Sequence, residues 1–207
     1  MLSSLFSRKA RFYVSKNEYY ETITTENTYL KAVATDLNLP SKKQHLTSKD
    51  ILYNNKLGLT SKYKEIIEVL GTPVYQVNKS RSNKHHVLFY KKRIGTYNSR
   101  LEIHLVNNRF LIGFITFNVA NDKEKKTLFD LIARKYEVNC EKDHLGDIKI
   151  FNDSNEYIKV IDSVNITLVY GVDSESNNKT ITDLANQKEL KYLSVDQKNR
   201  VDLYNNI

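Results

Sequence analysis

The sequence predicts an α+β fold: one or two antiparallel sheets, each covered on one face by helices. Three observations predict it. Residues 100–117 show the period-two alternation of a half-buried antiparallel strand and its partner. Two segments, 60–71 and 121–136, show apolar residues at helical spacing with start or stop signals. In both cases strands follow the helix, so a helix-then-three-or-four-strand order occurs at 60–118 and again at 121–171. The chain has 207 residues, 40% hydrophobic and 11% aromatic, enough for a core. Only 2 Pro and 6 Gly exclude collagen-like or low-complexity architectures.

In chain order, Tyr29, Leu30, Val33 and Leu37 predict a helix over 25–38. Leu39-Pro40-Ser41 stops it, because Pro lacks the amide donor and restricts its predecessor. Residues 41–50 read as a polar loop, and Asp50 to Tyr53 as a short strand or turn. Thr60 or Ser61 caps a helix reaching Leu70, with Tyr63, Ile66, Ile67 and Leu70 on one face. Gly71 and Pro73 end it. Strands follow at 74–77, 86–92 and 100–106, with a polar loop at 78–84. A turn at Asn107-Asn108 leads to a strand at 109–117. Leu101, Ile103 and Leu105 face one side, and Arg100, Glu102 and His104 the other. The 109–117 strand is apolar on both sides, which fits a central or doubly covered strand. Asn121 or Asp122 caps a helix of about 15 residues. Its core stripe is Leu128, Leu131, Ile132 and Tyr136, flanked by Phe129. Strands follow at 148–151, 157–161 and 164–170, with Val164, Ile166, Leu168 and Tyr170 sharing a face. A polar loop at 173–179 precedes a helical region from Thr182, with Leu184, Leu190, Leu193, Val201 and Leu203 as its apolar positions.

This divides the chain into an N-terminal helical or irregular segment (1–56), a first helix-plus-sheet unit (57–118) and a second unit with a C-terminal helix (119–207). The recurrence fits a tandem duplication and also a chance repeat of architecture, since no residue-by-residue repeat accompanies it. The net charge of +8 is uneven. Residues 1–60 hold 9 basic and 5 acidic side chains, 61–118 hold 10 and 3, and 119–207 hold 13 and 16. The middle unit is therefore the electropositive one, and such a field attracts acidic partners.

Leu57-Gly58-Leu59-Thr60 leads into Ile66-Ile67-Glu68-Val69-Leu70-Gly71-Thr72-Pro73. An apolar-Gly start, a short helix, Leu-Gly-x-Pro and then antiparallel strands resemble the BamE/SmpA-type small outer-membrane lipoproteins. The same pattern is similar to the tandem fold of the β-lactamase inhibitor protein. The resemblance covers residues 57–118. It implies a helix-plus-sheet fold that binds another protein across a sheet face, and it assigns no functional residue. This chain departs from the lipoproteins in showing neither their signal nor their lipidated cysteine.

The single Cys140 excludes an internal disulfide and points to a reducing compartment. With no secretory pattern at the start, a cytoplasmic location is expected. The Ser- and Arg-rich opening, acid-free before Glu18, also resembles an organelle transit peptide. No apolar run of about 18 residues exists, so no membrane-spanning helix is expected. Cys140, His144, His85, His86 and His104 are too scattered to fix a zinc site, so no metal or cofactor is expected. No Gly-x-Ser-x-Gly, phosphate-binding Gly-rich loop or His-Glu-x-x-His occurs. The spacing of Glu137 and Glu141 allows them to share one helix face, which solvation explains as well as catalysis does. An enzyme is therefore unsupported.

The concentrated basic stretch is the strongest candidate site. Lys79, Arg81, Lys84, His86, Lys92, Arg93 and Arg100, with Tyr90 and Tyr97, and Glu102 and His104 on the same strand side, form the expected macromolecule-binding set. Fourteen tyrosines and no tryptophan supply amphipathic contact area. The leading expectation is a non-catalytic binding or adaptor protein that recognises a protein partner through an exposed sheet face. The alternative is a nucleic-acid-binding module in which cations meet phosphates and aromatics stack on bases. An unrecognised enzyme comes third.

Overall fold

The computed structural model describes residues 20, 28–37, 43–80, 85–138 and 148–186. The opening of the chain, the Leu39-Pro40-Ser41 stop, Arg81, Lys84, Cys140, Glu141, His144, Leu190, Leu193, Val201 and Leu203 lie outside them. The elements in order are α1 (Thr28–Leu37), β1 (Lys43–Leu46), α2 (Tyr63–Leu70), β2 (Tyr75–Ser80), β3 (His85–Ile94), β4 (Tyr97–Val106), β5 (Arg109–Phe117), α3 (Asp122–Lys135), β6 (Ile148–Phe151), β7 (Glu156–Asp162), β8 (Ile166–Val172) and α4 (Glu175–Asn186). The α+β class is as the sequence predicts.

Local chemistry sets the turns. Asn107 and Asn108 hold φ of 51° and 61°, the pair of left-handed residues a two-residue hairpin turn needs. Between β3 and β4, Gly95 supplies φ 59° at the first turn position. The N-cap of α2 is Lys62 rather than Thr60 or Ser61. A turn at Leu59-Thr60 precedes it, and Lys62 is extended because it bridges to Arg109, with Tyr63 N–H donating to Asn108 O at 2.9 Å. Glu65 then accepts from the Lys62 amide at 2.9 Å. Asn121 caps α3 as expected, its side chain accepting from Glu124 N–H at 3.0 Å.

The strands form one eight-stranded sheet in the order β1-β6-β7-β8-β5-β4-β3-β2. Among the described residues only the β1–β6 pair is parallel. The last strands of the two helix-then-strand units, β5 and β8, pair antiparallel and join both units in one sheet. Residues 43–46, read as polar loop, are instead the parallel edge strand. Lys-Gln-His-Leu shows no apolar alternation because backbone pairing with β6, not side-chain burial, holds it; Leu46 is exposed. Residues 173–179, also read as loop, contain the first turn and a half of α4, which starts where the Ser174 hydroxyl accepts from Asn177 N–H.

Helices cover both faces of the sheet, not one. On the first face, α2, α3 and the 51–59 segment pack Ile51, Tyr53, Leu57, Ile66, Leu128 and Ile132 against Leu88, Leu101, Ile103, Ile115 and Leu168. On the second, Leu30 and Val33 of α1 and Ile181 and Leu184 of α4 pack against Ile112, Phe114, Tyr157 and Val169. The cause lies in β5, whose residues 110–117 are all buried; a strand apolar on both sides needs two layers. Two apolar expectations fail. Val164 is 87% exposed because it sits in the turn before β8, and Leu131 is 52% exposed because Phe129 takes its place in the core. Glu137, with φ 54° after the end of α3, pairs with Lys49 rather than extending a helical carboxylate face. Among the described residues no helix is long and apolar enough to cross a membrane.

Candidate functional site

β3 changes character along its length. His85, Val87, Leu88, Phe89 and Tyr90 are buried, and then Lys91, Lys92 and Arg93 are exposed. Ten residues carry the strand past the helical layers, so its last turn-proximal residues meet water. Lys91 lies opposite Arg100 and Arg93 opposite Asn98 on β4, so three cations share one face. Cross-strand like charges are unfavourable and leave a local positive field. Among the described residues, neither Lys91 nor Arg93 reaches a carboxylate. Lys92 points to the other face, where its ammonium donates to Leu70 O at 3.0 Å and satisfies a terminal carbonyl of α2.

The remaining expected site residues divide. The Lys79 backbone lies in β2, but its side chain is outside the described set. His86 is half-buried, its Nδ1 2.6 Å from Asn78 Oδ1 across the β2–β3 pair. Tyr97 is half-buried with its ring edge-on to Phe117 at 6.1 Å. Tyr90 is not a surface contact. It lies in the core of the first face, where burial, then the neighbouring Tyr63, pushes its phenol up to about 12. Phe89 is buried as well.

Glu102 and His104 also leave the surface set. They share a strand side with Arg100, as alternation requires, but that side is covered: they are 4% and 1% exposed. Their neighbours there are Val87, Phe89, Ile112 and Phe114. Buried polar groups are normally hydrogen-bonded; these bond to one another, while Glu102 Oε2 is buried with no hydrogen bond among the described residues. Glu102 Oε1 lies 2.8 Å from His104 Nε2, and His104 Nδ1 lies 3.0 Å from His85 Nε2. The two imidazoles stack at 5.2 Å, with His104 edge-on to Phe114 at 5.6 Å. His85 belongs to the basic stretch of the sequence but is 2% exposed and lies beside Glu102 and His104, a grouping that the sequence reading did not make. The signal that finds it is the ladder: Val87 opposes His104, so His85, two residues before Val87, lies on the same side.

A second polar cluster sits at the opposite end. Burial pushes the Asp173 carboxyl up, but hydrogen bonds from Lys149 and Asn178 and the Lys149 charge outweigh it and hold it below the usual carboxylate range. The Lys149 ammonium also lies 4.8 Å above the Tyr157 ring. Among the described residues no group of three or more His, Cys, Asp or Glu side chains is placed to hold a metal ion. No protein-family model, no curated protein and no solved structure matches the chain.

Proposed function

We propose that the protein is a non-catalytic binding module that docks an acidic face of another protein against the cationic end of the β3–β4 hairpin. One observation carries the reading: Lys91 and Arg93 are exposed on one face, with no carboxylate in reach among the described residues. Exposed like charges raise the local concentration of an acidic partner and steer its approach. Because helices cover the middle of both sheet faces, the reading moves from the sheet face to the projecting strand ends. Phe89 and Tyr90 are buried and Tyr97 is half-buried, edge-on to Phe117, so the described part of this stretch offers little aromatic area for base stacking, which favours a protein partner.

The test uses the whole chain and two fluorescent probes, an Asp/Glu-rich peptide and a single-stranded oligonucleotide, read by anisotropy at low salt. The peptide is expected to bind, and Lys91→Ala with Arg93→Ala to weaken it roughly threefold to tenfold without moving the melting temperature. Equal affinity of the double variant sinks the assignment of this surface. Preferential, steeply salt-dependent binding of the oligonucleotide replaces the protein reading with the nucleic-acid one.

A further inference from the structure

We propose that the acidic partner binds as an added strand: an extended segment with carboxylates at every second residue pairs antiparallel with the open edge of β3 at Lys91 and Arg93. The inference rests on the docking reading above and specifies how the partner is held.

The turn sets which backbone groups are open. Gly95 and Thr96 form a two-residue turn between Ile94 and Tyr97. Such a hairpin closes on a hydrogen-bonded pair, so Ile94 and, alternating back along the strand, Lys92 and Tyr90 aim their backbone groups at β4. Lys91 and Arg93 aim theirs at the other side, the side of β2. Phe89 obeys the same parity, since its carbonyl accepts from Val74 N–H at 2.8 Å. The β2 ladder covers only the first part of β3, from Ser80 opposite His85 to Tyr75 opposite Phe89. Pro73, which has no amide hydrogen, lies just before Val74. Further back the chain belongs to α2 on the first face, where Lys92 holds Leu70 O at 3.0 Å. Among the described residues no strand pairs with Lys91 or Arg93 on this side, and no backbone hydrogen bond from a turn or loop reaches either. Both residues are exposed.

An open edge offers its amides and carbonyls to any extended chain, and cationic side chains along it deter most of them. Here the cations also select. In an antiparallel pair, the residue opposite Lys91 shares its sheet face and its hydrogen-bonding parity. A carboxylate there meets the Lys91 ammonium across the ladder, and a carboxylate two residues away meets Arg93. A neutral strand gains no such pairs, and a basic strand is repelled. The backbone thus supplies affinity and the alternating charge supplies specificity. The intervening residues of the partner fall on the face of Lys92, where β-branched residues favour the extended form.

The test leaves the protein unaltered and changes the probe, a short fluorescent peptide of alternating Glu and Thr, read by anisotropy with the whole chain at low salt. Two further forms of equal charge and sequence carry backbone N-methyl groups, one on every Glu amide and the other on every Thr amide. In the antiparallel pair the Glu amides face β3. Methylating them is expected to weaken binding roughly tenfold, and methylating the Thr amides to leave it within about twofold. In hydrogen exchange, the unmethylated peptide is expected to slow the Lys91 and Arg93 amides. Equal affinity of the two methylated forms, selective loss on the Thr set, or unchanged exchange at both amides overturns the antiparallel added strand and leaves the docking reading standing. An unmethylated peptide that does not bind overturns both.

Discussion

Gly113 shows how tightly single residues are held. A Cβ there would lie 2.5 Å from Tyr53 Cε2 and 2.8 Å from Phe110 Cζ. The Tyr53 ring crosses this gap edge-on to Phe110 at 5.5 Å and to Tyr170 at 5.2 Å, and its hydroxyl reaches the Phe114 carbonyl. Gly113→Ala is therefore expected to lower stability by about 1–3 kcal/mol, measured by denaturant unfolding with an unchanged slope. At this scale the sequence was half legible. Alternation correctly grouped Leu101, Ile103 and Leu105 on one side and Arg100, Glu102 and His104 on the other. It could not say whether the second side was wet. Period two reports which residues share a face; what covers that face comes from elements far away in the chain. Glu102 and His104 looked like surface groups because their stabilising partner, His85, is a residue of another strand.

Helix α3 illustrates a well-marked element. Its cap was readable because Asn followed three residues later by Glu places a side-chain acceptor and a return carboxylate at the same turn; Glu124 Oε2 accepts from Ala120 N–H at 2.7 Å. Asn121→Ala is expected to cost about 1 kcal/mol, seen as a lower melting temperature with helix content retained at 25 °C. Helix α4 was hidden for the opposite reason. Ser174, Ser176, Asn177 and Asn178 favour caps and turns over helix interiors, and burial of Ile181, Leu184 and Ala185 overrides them. Its entry carries a pH dependence. The Asp173 carboxyl is held below its ordinary value by Lys149 and Asn178, so its contribution is present above the unfolded value and lost as pH falls through the folded one. Asp173→Asn is expected to lower stability at pH 7 and to flatten the acid limb below about pH 4 in a stability-versus-pH series.

For the whole molecule, tyrosine burial predicts an alkaline limit. Burial raises the phenols of Tyr53, Tyr157 and Tyr170 well above their ordinary range and those of Tyr90 and Tyr136 to about 12. Raised folded values stabilise the fold fully below about pH 10 and lose that effect as pH climbs toward 12. Phenolate absorbance and circular dichroism are thus expected to change together in that window; complete phenolate formation with the fold intact would contradict the burial. Layering at this scale was partly legible. The doubly apolar 109–117 segment signalled a central strand or one covered on both sides, whereas the two helices that provide the second cover, α1 and α4, lie at opposite ends of the described chain and share no local pattern. The joining of both units into one sheet through β5 and β8 was not legible either, because strand pairing over such separations leaves no periodic trace.

That β5–β8 seam sets an order of events at the ribosome. Strands β2 to β5 can assemble once residue 117 has emerged, yet the outer edge of β5 has no neighbour until β8 is complete at Val172. At about 5–20 residues per second, the nascent chain carries this open, apolar edge for roughly 3–11 s. β1 waits as well, since its partner β6 begins only at Ile148. A chain released early, after Phe117, would present an unpaired apolar strand edge to its neighbours, so the second half of the protein acts as a guard for the first.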